Sequence, residues 1–147
     1  MVAEYSVWQQ GVEVNYAALC EEKKDGLHIL RLMGQTSVVY IPQMIDGYEV
    51  KVIGEYCFSA RNNCKNRTSD NDWEKMEKLA RDRGMNELSG DYVEQVILPD
   101  SVHELCSYAF YNCRKLKCIE FGRSLDIVNN DAVSYTHLRA HETRHDL

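Results

Sequence analysis

The sequence predicts a β-rich repeat solenoid closed at its N-terminal end by a β-hairpin and interrupted by one inserted helix. Three observations predict it. The stretch Val93–Phe121 holds one unit and the start of the next, and an offset of 23 residues carries Val93 to Leu116, Val96 to Ile119, Leu105 to Val128 and Ala109 to Ala132. A short apolar strand ends at a corner, Leu98-Pro99-Asp100-Ser101-Val102, that the same offset carries to Phe121-Gly122-Arg123-Ser124-Leu125. A small residue beside a large aromatic recurs, as Cys57-Phe58 and Ala109-Phe110. Self-similarity at such a period marks stacked units, each with too little apolar surface to close a core alone.

In chain order, residues 1–37 form the hairpin cap. Val12, Val14, Tyr16 and Ala18 alternate along one strand, EEKKDG supplies a polar turn, and Leu27–Met33 is the return strand. Such a cap hides the apolar end of the stack from water. Val7 and Trp8 are expected to tuck beneath it, the alternative being an exposed aromatic platform for a ligand. Repeats follow over 38–132. Val93, Val96 and Leu98 point into the stack, Pro99 ends the strand for want of an N–H, and Leu105 and Phe110 fill the interior.

Residues 61–90 are an insertion. Trp73, Met76, Leu79 and Ala80 recur at helical spacing, with Ser69, Asp70 and Asn71 as cap candidates ahead and Gly84 behind. A helix over Asp72–Arg83 is expected, packing its stripe on the flank of the repeats; a partner-docking helix is the sharper alternative. Asn66-Arg67-Thr68 is a glycosylation sequon by pattern, without meaning unless the chain is secreted.

The residues LPDSVHELCSYAFYNCRKLKCIEF resemble the BspA-like subtype of bacterial leucine-rich repeat. IPQMIDGYEVKVIGEYCF resembles the opening repeat of such proteins. The likeness covers Val38–Phe58 and Val93–Ala132. It departs where Cys106 replaces the usual Gly and where Phe58 lacks a following Asn-Cys or Gly-Cys. It implies a leucine-rich repeat solenoid and a role in adhesion or protein contact. Residues 133–147 resemble something else: the translation of a transposase-type sequencing-library adapter, whose codons give Val133 through Thr143 in order. The repeat needs Phe after Ala132 and finds Val133. The tail is therefore expected to be foreign, the native protein truncated at Ala132, and the helical spacing of His137, His141 and His145 without a metal role.

Chemistry is sparse. A formal charge of −6 over 147 residues argues against a nucleic-acid surface. No apolar run reaches membrane-span length, and MVAEYSVWQQ lacks the basic and apolar regions of a signal peptide. A cytoplasmic location is expected of the sequence as it stands, a cell-surface or secreted one if the true N-terminus is missing. The six cysteines lack zinc-ribbon spacing. An even number suits disulfides, yet Cys57, Cys106 and Cys113 fall at positions that want small buried groups, so reduced structural thiols are expected. His28 and His103 read as lone surface histidines, with no nucleophile at a motif spacing. Neither an enzyme, a cofactor nor a metal is expected. The chain reads as a monomeric module binding a protein or glycan, or else as a structural or targeting segment of a longer protein whose active domain lies elsewhere. Pleat alternation puts Tyr40, Gln95, Ile97 and Glu120 on the exposed sheet face as the candidate binding residues.

Overall fold

The computed structural model describes residues 1–60, 69–133 and 139–142. Two long strands open the chain, β1 (Val2–Gln9) and β2 (Val12–Lys23), joined by a two-residue turn at Gln10-Gly11. Both turn residues have positive φ, 51° and 79°, as the type I′ turn between tightly twisted strands requires. β1 departs from the expectation that Val7 and Trp8 tuck under the cap: the segment is a strand, and Trp8 stands 71% exposed. The signal was present in the alternation of Ala3, Tyr5 and Val7, but a Gln-Gly turn is a weak marker beside Asn-Gly.

β3 (Gly26–Gly34) returns antiparallel to β2. A register shift between Leu19 and Cys20 leaves Leu30 as the extra residue, and such a bulge re-aims the side chains around it. Arg31 is driven inward, only 1% exposed. Its Nη1 donates to the carbonyls of Tyr56, Cys57 and Ser59, and its Nη2 pairs with Glu87 at 2.7 Å. One guanidinium thus ties the hairpin to the turn that follows β6, where a planar fork of donors suits convergent carbonyls.

The remaining strands are short: β4 (Val38–Tyr40), β5 (Met44–Ile45), β6 (Tyr48–Ile53), β7 (Asn86–Glu87), β8 (Gln95–Ile97), β9 (Glu104–Leu105), β10 (Cys118–Phe121), β11 (Ile127–Val128) and β12 (Arg139–Glu142). All but β5 and β7, which pair antiparallel, fall into two parallel ladders. β4, β8, β10 and β12 form one sheet in that order. β6, β9 and β11 continue the hairpin sheet beyond β3, with β5 on β6 and β7 on β3. The Val38, Val93 and Lys117 regions thus lie side by side in one sheet. β8 pairs with β10, and β9 with β11, at the 23-residue offset (Gln95 with Cys118, Glu104 with Ile127). β12 joins β10 at an offset of 21 (Cys118 with Arg139).

The repeat units also meet through their turns. Phe58 N–H donates to Ala109 O and Phe110 N–H to Ala132 O. Phe58 and Phe110 stack with centroids 5.0 Å apart. Tyr56, Tyr108 and Asp131, which occupy one repeat position, all have φ near 60°. A single cluster of buried side chains runs from Ala3 to Ala132 through both ladders.

Helix α1 (Asp70–Arg83) starts two residues before the expected boundary. Ser69 caps it by accepting from the Asp72 N–H, and Gly84 ends it in the left-handed conformation. Its stripe of Trp73 and Met76 packs against Ala17, Leu19, Leu30 and Met33. It therefore covers the outer face of the hairpin and not the flank of the repeats. The reason lies in β2: Ala17 and Leu19, on the opposite side of the strand from Tyr16 and Ala18, make that face apolar too. The sequon at Asn66 and Cys64 lie outside the described residues, as do His137 and His145.

Candidate functional site: the outer face of the parallel sheet

Along β4, β8 and β10 the middle residues Val39, Val96 and Ile119 are buried. Their neighbours turn to the other face, because successive side chains in a strand alternate. The parallel register sets Val38, Gln95 and Cys118 in one row and Tyr40, Ile97 and Glu120 in the next. All six are half-buried. The structure thus brings the four candidate residues, Tyr40, Gln95, Ile97 and Glu120, onto one surface. Gln95 Nε2 donates to Glu120 Oε1 at 3.3 Å across the two rows.

The edge of this sheet at β4 is closed by side chains from the hairpin. Tyr16 Oη accepts from the Tyr40 N–H at 3.2 Å, Tyr5 Oη donates to Tyr40 O at 2.9 Å, and Gln9 Nε2 donates to Val38 O at 2.9 Å. Tyr16 Oη also donates to Gln9 Oε1 at 2.6 Å. Backbone groups that a further strand would satisfy are met by three side chains instead. Burial pushes the Tyr16 phenol up to about 12, so it stays a hydroxyl and keeps both roles. The sequence did not reveal this edge closure, since it needs the hairpin and β4 placed together.

At the N-terminal ends of the same strands lies a cleft of about 710 Å³ lined by Ser37, Tyr92, Glu94, Arg114, Lys115 and Lys117. Glu94 and Lys117 pair at 2.9 Å. The hydrogen bond from Lys117, and then its charge, hold the Glu94 carboxyl below its ordinary value. The cleft adds cationic groups to an otherwise acidic chain.

The two histidines are not isolated, which corrects the reading from sequence. His28 Nε2 lies 2.9 Å from Asp25 Oδ1, and His103 Nε2 lies 3.5 Å from Asp25 Oδ2. His103 Nδ1 is 3.7 Å from Asp126. The 23-residue offset relates His103 to Asp126, so the fold could have been used to find that contact; the contacts to Asp25 need the hairpin docked. Among the described residues no group of three or more His, Cys, Asp or Glu side chains could hold a metal ion.

Among the described cysteines, Cys20, Cys57 and Cys113 are buried, while Cys106 and Cys118 are half-buried. Cys106 therefore does not share the buried setting expected of it; it stands where the repeat pattern has Gly. Desolvation pushes the thiols of Cys20 and Cys113 up to about 12, and a thiol so held is a poor nucleophile at neutral pH. Cys113 Sγ donates instead to Phe58 O at 3.2 Å.

Residues 84–146 match the BspA type Leucine rich repeat region (6 copies). No curated protein and no solved structure gives a match. The leucine-rich repeat match begins just after α1 and takes in β7 to β12. Predominantly β structure with one helix fits it. The earlier block, Val52 and Ile53, lies outside the match but pairs in parallel with Glu104 and Leu105 inside it. No helix among the described residues is long and apolar enough to cross a membrane.

Proposed function

We propose that the chain is a non-catalytic leucine-rich repeat solenoid that binds a protein or glycan on the outer face of the β4-β8-β10 sheet. In this reading residues 1–37 are the cap, 38–132 the repeats with the insertion at 61–90, and 133–147 a foreign tail without a native role. The observation that carries it is the in-register row Tyr40, Ile97 and Glu120. The core side of these strands is already filled by Val39, Val96 and Ile119, so an aromatic and an aliphatic residue on the opposite face serve something other than the core. An apolar centre with a polar rim is the usual make-up of an interaction site. Gln95 and Glu120 supply that rim, and the cationic cleft at Lys115 and Lys117 extends it.

The test uses the intact chain against an immobilised extracellular glycoprotein, before and after enzymatic removal of its glycans. Loss of binding on deglycosylation assigns the glycan, and retention assigns the protein. The double variant Tyr40→Ser, Ile97→Ser is expected to weaken binding roughly tenfold or more, about 1.4 kcal/mol, with the unfolding midpoint nearly unchanged. If the variant unfolds and binding falls only in proportion, these residues serve the core and the binding face is elsewhere.

A further inference from the structure

β1 is an edge strand, at one end of its sheet. It has eight residues without Lys, Arg or Pro, and it pairs with β2 without a register shift. Exposed edges of this length are normally blunted by a bulge, a proline, an inward charge or a cover. Its one charged residue, Glu4, is folded onto Arg83 of α1. That helix packs on one face of the hairpin, against Ala17, Leu19 and, on β1, Val2, and its Asp72 pairs with the Met1 ammonium at 3.0 Å. Among the described residues nothing pairs with the outer side of β1.

The hydrogen-bond phase says which groups face outward. Met1 and Cys20 exchange both backbone bonds, each at 2.8 Å. Bonded and non-bonded pairs alternate in an antiparallel ladder. Ala3, Tyr5, Val7 and Gln9 therefore bond inward to Ala18, Tyr16, Val14 and Val12. The N–H and C=O groups of Val2, Glu4, Ser6 and Trp8 point away from β2. Trp8, 71% exposed, stands at the end of this row.

We propose that β1 pairs antiparallel with β1 of a second copy of this chain, making a two-fold dimer with a sheet continuous across it. One register satisfies the strand's own sequence. With Tyr5 opposite Tyr5 of the second copy, Glu4 lies opposite Ser6 and Val2 opposite Trp8, and every outward backbone group from Val2 to Trp8 is bonded. Shifting the centre to Glu4 sets two carboxylates opposite each other, which is unfavourable. Shifting it to Ser6 leaves Val2 unpaired. The contact is isologous, so it closes at two copies and does not propagate. It is independent of the binding face proposed above, and it departs from the monomer expected from sequence.

Sedimentation equilibrium of the intact chain across a concentration series, with amide exchange read residue by residue, tests this. The expected result is a monomer–dimer equilibrium in which the amides of Val2, Glu4, Ser6 and Trp8 gain protection as concentration rises. Those of Ala3, Tyr5 and Val7 are protected at every concentration. Ser6→Pro removes an outward N–H and leaves the β2 bonds intact, as edge positions allow. It deletes one bond from each half of the dimer and is expected to raise the dissociation constant roughly tenfold or more. Trp8→Lys, which places a cation on the edge, is expected to weaken the dimer too and guards against misfolding of the proline variant. A chain that stays monomeric overturns the proposal. So does a dimer that leaves the four outward amides unprotected, or one that both variants leave intact.

Discussion

Phe110 shows how much of the molecule rests on single positions repeated. Its ring stacks on Phe58 with planes 7° apart, and both are about 1% exposed. Truncating it empties the space between two units, which the small residues Cys57 and Ala109 do not refill. Phe110→Ala is expected to cost about 3–5 kcal/mol, measured by chemical denaturation; a change within about 0.5 kcal/mol would mark a surface residue. The small-large pair was legible because its bulk contrast recurs at a fixed offset. The turn before it was not. Tyr56 and Tyr108 adopt φ of 59° and 62°, a region that costs a bulky residue of order 1–3 kcal/mol, and no Gly or Asn announces it there. Arg31 was equally hidden: nothing in LHILRLM shows that a bulge turns one arginine toward three carbonyls of another segment.

Elements were legible in proportion to their periodicity. β2, β3 and α1 carry strong patterns, and their caps or turns sit close to the expected places. β1 lacks a strong turn signal, and the sequence alone does not fix where α1 docks, because β2 is apolar on both faces. The candidate face was legible because a parallel register transfers one strand's alternation to the next. What joins elements through polar side chains was not, and the Asp25 contact is the clearest instance. It links the β2–β3 turn to the corner before β9 through His28 and His103. The hydrogen bond from His28, foremost, then the charge of His28 and the bond from His103, hold the Asp25 carboxyl below its ordinary value of 3.8. A carboxyl depressed in the folded state binds its proton more readily when unfolded. Its contribution is therefore complete above the ordinary value and is lost as pH falls through the lower, folded one. Asp25→Asn is expected to destabilise the chain at neutral pH by an amount that shrinks below pH 3.8. Because Asp25 is 47% exposed, salt screens the effect. A wild-type-to-variant difference that stays constant down to the acid transition would show that the contact does not influence folding.

At the scale of the whole molecule, the division drawn from sequence between a cap and a set of repeats meets one continuous interior. Ala3, Tyr16 and Ile29 of the hairpin belong to the same buried cluster as Val96, Phe110 and Ala132. β3 pairs directly with β6, through Leu27 with Val50 and Ile29 with Ile53. Arg31 and the Tyr5–Tyr16–Gln9 set add polar ties from hairpin to repeats at both ladders. Removing the hairpin would expose the apolar side of β6 and leave the backbone of Val38 and Tyr40 without partners, at the cost a buried polar group carries when its bond is lost. Repeat arrays whose neighbours meet only locally can melt in stages. Here the first strands of both ladders, β4 and β6, are braced by the same three-stranded hairpin, so hairpin and repeats are expected to unfold together. Thermal scanning should give one transition with calorimetric and van't Hoff enthalpies equal, and the loss of Trp73 fluorescence, which reports α1 on the hairpin, should coincide with the loss of far-ultraviolet circular dichroism. Two resolved transitions, with the Trp73 signal surviving the first, would mean that the hairpin and its helix stand as a unit without the repeats.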